Sequence, residues 1–322
     1  ELTTKWGFGS GVSLFIAAGI SRTIFTSAFQ IIDSQGRNCL LNFSDIPCTG
    51  KVFVVIQSVV NQFPIELLSA VVALIATFLI FMLVVWAQSL KVEIPLSFGR
   101  VRGYGVKWPL SFFYASVIPV ILTAALVANI QLFGGLINNA AAPCLNGIED
   151  ACVGKAKFAS YFTFLGRFID GRPVSGFAFW IGSTNMAELI IRGGFLPIYL
   201  LQAVIHTLFF IFFSTLFAVF WVKTSGMDSK AQAHKIISSG LQVSGFRQDQ
   251  RILESILDRY IMPLTVMGGI AIGLLASITN LMGALVSGTA ILLVIMIMYQ
   301  FYQNIAQQHQ MDMHPIMRKF VE

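Results

Sequence analysis

Pro64-Ile-Glu-Leu-Leu-Ser-Ala-Val-Val-Ala-Leu-Ile-Ala-Thr-Phe-Leu-Ile-Phe-Met-Leu-Val-Val-Trp-Ala-Gln-Ser-Leu90 decides the fold class. A helix crosses a bilayer core of roughly 30 Å with about 20 mostly apolar residues, and this stretch carries one charge, Glu66, near its start. Five further stretches read the same way: about Ser10 to Ile32, Leu110 to Phe133, Leu196 to Val222, Met262 to Leu285 and Thr289 to Ile305. Arg22 and several Ser and Thr dilute the first of these, and Val286, Ser287 and Gly288 form a short turn between the last two. Val52 to Val60 is apolar but too short to cross, so it reads as an interfacial or bundle-packed segment. The expectation is an all-α polytopic membrane bundle of about six transmembrane helices.

Composition agrees. Of 322 residues, 56% are hydrophobic and 11% charged, against about 25% charged in soluble domains, and the mean hydropathy is +0.77. An ordinary soluble enzyme, a disordered regulator and a stand-alone nucleic-acid binder are excluded. The sequence starts at Glu1 in a polar stretch, with no basic-then-apolar leader. Six spans put both ends on one side. That side holds Lys5, the 91–109 loop, the 223–261 segment and the 308–322 tail, with 13 basic residues against 8 acidic ones; the other holds 8 against 7. The positive-inside bias assigns the richer side to the cytoplasm. All four cysteines then fall in outside loops, as two local pairs, Cys39 with Cys48 and Cys144 with Cys152. Disulfides persist in oxidising compartments, so two local bridges and four free thiols are the alternatives.

The spans offer little chemistry. Only His206 is an ionisable group well inside one, and a lone His there is more often a bonded packing residue than a proton carrier. Ion-driven transport is poorly supplied. No His-Glu-x-x-His, aspartate pair or Gly-x-Ser-x-Gly is present, so neither an enzyme nor a cofactor is expected. Gly7, Gly9 and Gly11 read as close packing or a flexible lead into the first span rather than a phosphate loop. Asn129, Gln131 and Asn280 are polar, and Pro119 interrupts the third span near its start, either as a structural kink or as a hinge. The two long cytoplasmic loops, Lys91 to Pro109 and Lys223 to Tyr260, carry bases that could meet RNA phosphates, though topology bias alone accounts for them. Ile252, Leu253, Ile256 and Leu257 give Gln248 to Tyr260 the spacing of an amphipathic helix.

Several motifs, in order along nearly the whole chain, resemble the SecY family in its archaeal form. They are Gly9-Ser-Gly-Val-Ser-Leu-Phe-Ile-Ala-Ala-Gly19, Val92-Glu-Ile-Pro-Leu96, Ile118-Pro-Val-Ile121, Ala128-Asn-Ile-Gln131, Thr224-Ser-Gly-Met-Asp228, Gly245-Phe-Arg247 and His314-Pro315. The resemblance implies the pore subunit of the Sec protein-conducting channel, with ten helices in two pseudo-symmetric halves. This chain would supply the fifth to tenth: helix 5 in 1–35, helices 6 and 7 in 64–134, helix 8 in 196–222, and helices 9 and 10 in 262–307, with outside loops 36–63 and 135–195. The first four helices and the plug would lie outside it.

The resemblance also implies residue roles. Val12, Ile16, Ile118, Ile121 and Leu293 would join an apolar pore ring, Val12 being smaller than the isoleucine common there. The third span matches the helix of the lateral gate, which favours the hinge reading of Pro119 and makes Asn129 a polar gate residue. Arg100, Arg102 and Arg247 would dock the ribosome. Implied partners are a SecE-type subunit, the Sec beta subunit, the ribosome, nascent chains with their signal sequences, membrane lipid and the N-terminal part of SecY, in the plasma membrane. From the residues alone the rival readings are a secondary transporter of small solutes and a non-conducting assembly protein.

Overall fold

The computed structural model describes residues 11–32, 37–39, 48–98, 105–115, 118–145, 162–169, 171–238, 241–243 and 249–313. In chain order the elements are α1 (Gly11–Phe29), α2 (Lys51–Val60), α3 (Pro64–Gln88), β1 (Lys91–Phe98), β2 (Gly105–Ser111), α4 (Ile118–Leu145), β3 (Arg167–Ile169) and β4 (Arg172–Ser175). There follow α5 (Phe177–Ile181), α6 (Met186–Ile191), α7 (Pro197–Thr224), α8 (Ser229–Ser238), β5 (Leu241–Val243), α9 (Gln250–Leu281) and α10 (Gly288–Met313). Among the described residues five helices, α3, α4, α7, α9 and α10, are long and apolar enough to cross a membrane. The first expected span does form a helix over its described part, α1, in which Ser13–Phe29 is apolar but shorter than the length set for a span.

The chain divides into two compact units, one of Glu1–Leu90, Ala187–Gly193 and Met282–Glu322, the other of Lys91–Met186 and Gly194–Leu281. In the first, α3 buries Ala70, Ala73, Ala76, Ile80 and Val84, a stripe with the three-to-four spacing of one helix face. Thr77 Oγ1 on α3 accepts the Leu285 N–H at 3.1 Å, fastening the turn that precedes α10. The apolar segment too short to cross is α2. Cys39 and Cys48 are joined by a disulfide with Cα atoms 5.3 Å apart, and the Cys48 N–H donates to Gln57 Oε1 of α2 at 3.0 Å. Cys144 falls at the end of α4 and Cys152 beyond it; the second pairing lies outside the described residues.

In the second unit α7 and α9 pack backbone against backbone. A Cβ on Gly273 would lie 2.9 Å from Ile211 Cα and from the Phe210 carbonyl oxygen, and one on Gly269 would lie 2.9 Å from Thr215 Cα. Gly269 and Gly273 are four apart, the spacing that lets membrane helices approach closely, and Ser277 one turn further meets Thr207 with hydroxyls 2.8 Å apart. The expected span Met262 to Leu285 lies, as far as Leu281, in a longer helix: α9 starts at Gln250, absorbs the amphipathic segment and continues through Pro263. Leu253, Leu257 and Ile261 of its first half are buried with Leu110, Tyr114, Val222, Ala233 and Ile236 in one apolar cluster.

The loop expected after the second span is a β-hairpin. β1 pairs antiparallel with β2 from Lys91 opposite Ser111 to Ser97 opposite Gly105, and β5 joins the other edge of β1. The third span is shifted in consequence. Leu110 and Ser111 end β2, so the helix begins at Ile118 rather than Leu110.

Candidate functional site

The α1 residues 16, 19, 23, 26 and 30 recur at three- and four-residue steps and so share one face. Ile16, Gly19, Thr23, Thr26 and Gln30 are all exposed there, while Ala17 and Ala28 face inward. Val12 begins the same series, and its side chain lies outside the described residues. On α4, Ile121 is 40% exposed and Asn129 is exposed two turns further along, while Ile118 is half-buried. Leu293 on α10 differs, being 9% exposed.

Pro119 corrects an expectation. It is the second residue of α4, in the first turn, where the missing N–H would have had no helical partner anyway. No bond is lost there, and the described helix runs on from Pro119 without interruption. Its carbonyl accepts the Thr123 hydroxyl at 2.8 Å. Pro263 lies inside α9, and sequence reasoning passed over it.

Polar side chains within α7 hold the segment before it. Gln202 Nε2 donates to the carbonyls of Phe179 at 2.7 Å and Gly182 at 3.3 Å, and Gln202 Oε1 accepts the Thr184 hydroxyl at 2.8 Å. His206 Nδ1 lies 2.7 Å from the Ile181 carbonyl; a carbonyl only accepts, so this nitrogen carries the proton. These bonds satisfy carbonyls left open at the end of α5, and His206 has the work of an anchor.

Arg100, Arg102 and Arg247 lie outside the described residues, but their flanks do not. The first two sit in the connection between β1 and β2, the third shortly after β5, and β1 hydrogen-bonds to both strands. The described strands that flank these two segments, remote in sequence, therefore belong to one sheet. Tyr114, just past β2, ties the sheet's base to the end of α7: its hydroxyl donates to the Met227 carbonyl at 2.6 Å. Burial and the neighbouring Asp228 charge push its phenol up to about 12, against a smaller opposing effect from Gln232. Tyr114→Phe should lower stability by about 1 kcal/mol near neutral pH. An unfolded chain ionises Tyr114 near 10.0 and the folded one near 12; the tyrosine's advantage is thus whole below the first value and fades as pH rises through the second. Thermal unfolding of the full-length protein in detergent, wild type against variant, should show that gap closing at high pH. A gap independent of pH would contradict the bond.

Residues 1–302 match the family model for SecY. The chain belongs to the SecY family. It is 35% identical over 321 residues to the protein translocase subunit SecY of Methanococcus vannielii, covering 100% of this chain and 64% of that one. It is 34% identical to SecY of Methanocaldococcus jannaschii, covering 100% and 63%. A solved structure described as that of a protein conducting channel superposes with TM-score 0.72 at 34% identity, over 98% of this chain and 62% of the other. Another, of SecY with its plug domain studied, gives 0.71. The chain thus spans less than two thirds of the length of the curated SecY relatives it matches. With five apolar membrane-length helices among the described residues, it is a multi-span membrane protein with an all-α bundle, to which β1, β2 and β5 add a small sheet.

Proposed function

We propose that the chain forms the larger part of the central pore subunit of a Sec channel, which passes secretory polypeptides across the plasma membrane and releases membrane segments sideways into lipid. The SecY match over residues 1–302 carries the reading. The conduit would run past the exposed α1 face with Val12 and Ile16 and past Ile118 and Ile121 of α4, with Leu293 contributing from α10. A ring of aliphatic side chains can dewet and stop ions while a passing chain displaces it. The lateral gate would be α4 moving as a rod, with Asn129 its polar contact and Pro119 stiffening its start.

On this reading Arg100, Arg102 and Arg247 dock a ribosome: phosphate contacts from lysines and arginines give affinity and position without sequence readout, and the strands flanking these segments belong to one sheet. The basic side, with both ends of the chain, is cytoplasmic. A SecE-type subunit, the Sec beta subunit and the N-terminal part of SecY complete the assembly, and translation or folding of the cargo supplies the energy, with no catalytic step or cofactor.

Photocrosslinkers at Ile121 and Asn129 of the full-length protein, with a ribosome-stalled nascent chain engaged, test this. Adducts at both, and none from Phe78 on α3, are expected. Absence of adducts at both with ribosomes still bound would leave a docking protein without a conduit through α4.

A further inference from the structure

Part of the stretch 135–195, expected as an outside loop, reaches back to membrane depth at the end of the bundle opposite the sheet. Two helices measure that depth independently. Gly182 follows α5, and a Cβ on it would lie 3.3 Å from Gln131 Nε2 of α4. Gln131 is about 15 Å along the helix from Ala141, where the apolar membrane-length run of α4 ends. On α7, Gln202 and His206 hold the carbonyls of Phe179, Ile181 and Gly182, and His206 is about 13 Å along from Pro197. So α5 lies well inside both spans, with Ala178 and Ile181 fully buried and its end carbonyls capped, as backbone at that depth requires. The β3–β4 hairpin sits shallower. Asn138 Nδ2 donates to the Phe168 carbonyl at 3.2 Å, about 5 Å along α4 from Ala141. Open strand edges need water, and the membrane interface supplies it.

The surface that this wedge turns away from α4 is apolar with one cation. Phe168 packs on α4, where a Cβ on Gly134 would lie 2.9 Å from its ring. Its strand neighbours Arg167 and Ile169 point the other way and are exposed, as are Phe164, Val174 and Phe177. Phe177 meets Phe209 of α7 edge to face with ring centroids 6.4 Å apart, which joins the patch to the apolar wall of that span. The wedge also stands off the proposed conduit: Asn138 is nine residues from Asn129, about two and a half turns, and so on the opposite side of α4. We propose that residues 162–169 and 171–184 are a re-entrant element whose exposed face binds phospholipid of the leaflet opposite the sheet. Phe164, Ile169, Val174 and Phe177 lie among acyl chains, and the Arg167 guanidinium pairs with lipid phosphate. Aromatic rings suit that level of a bilayer because they are at home at its interface, and an arginine there buries its stem and keeps its head at the phosphates. The inference needs α4 and α7 to cross the membrane; it does not need the conduit.

The test places the photocrosslinker p-benzoylphenylalanine at Phe164, Ile169 or Phe177 of the full-length protein, in vesicles of equal parts phosphatidylcholine and phosphatidylglycerol. Intact mass after irradiation should show lipid adducts at all three positions. None should form at Lys235, an exposed residue of α8 at the sheet end. With the crosslinker at Ile169, Arg167→Gln should lower the share of adducts formed with the anionic lipid about five-fold, and Arg167→Lys should keep it. Folded protein that gives no lipid adduct at any of the three positions would overturn the proposal. Adducts with a ribosome-stalled nascent chain in place of lipid would overturn it too, and would put this face in the conduit. Lipid adducts whose headgroup ratio ignores position 167 would overturn the phosphate contact.

Discussion

Ile121→Gly in the full-length protein is expected to turn a sealed membrane into one that leaks ions, and Leu293→Gly to do the same with a loss of stability added. The two differ because their surroundings do: Ile121 is 40% exposed and Leu293 9%. Removing a half-exposed aliphatic side chain widens a passage and leaves little cavity, so the added term is the flexibility of glycine in a helix, about 1 kcal/mol. Removing a buried leucine leaves a void, and truncations of that kind cost about 2–5 kcal/mol. A hydrophobic constriction excludes ions by staying dry, so loss of its side chains should raise conductance by orders of magnitude rather than by a fraction. Bilayer conductance, paired with thermal unfolding in detergent, separates the effects. Unchanged conductance in a folded Ile121→Gly channel would remove that residue from the ring.

Gly273→Leu should separate α7 from α9 and abolish the folded unit that contains them. The obstacle is backbone, Ile211 Cα and the Phe210 carbonyl oxygen each 2.9 Å from the first added carbon, and backbone cannot rotate away as a side-chain tip does. Overpacking commonly costs about 1–3 kcal/mol when neighbours can adjust; four carbons against two backbone atoms should exceed that. The hydroxyls of Thr207 and Ser277 meet across the same interface at 2.8 Å, so Thr207→Cys with Ser277→Cys should crosslink efficiently under oxidation in membranes. Gly273→Leu should abolish the crosslink and Gly273→Ala weaken it. Full crosslinking in the leucine variant would show that the interface tolerates bulk and that the close approach is incidental.

Much of the fold was legible because hydropathy runs are read without partners. The second and fourth spans match α3 and α7 to within about two residues at each end. The third did not: Val92, Ile94 and Leu96, then Val106, Trp108 and Leu110, alternate with a period of two, the mark of strands. Lysines and arginines around them drew the reading toward a loop. Pro119 was read as interrupting a span because the apolar run began at Leu110, eight residues before the helix does. In α9, Pro263 went unremarked because the amphipathic and apolar segments were taken apart. Gly269 and Gly273 carry a spacing signal that could have been found; what they pack against could not.

Hydropathy runs were enough to read a multi-span membrane bundle, since burial in lipid imposes length and apolarity on each span separately, and motifs in order were enough to group the chain with SecY. Only the packing in three dimensions shows that the strands flanking two basic segments belong to one sheet and that His206 and Gln202 anchor α5. Those facts depend on which groups meet across tens or hundreds of residues, and no local pattern of side chains encodes a distant neighbour.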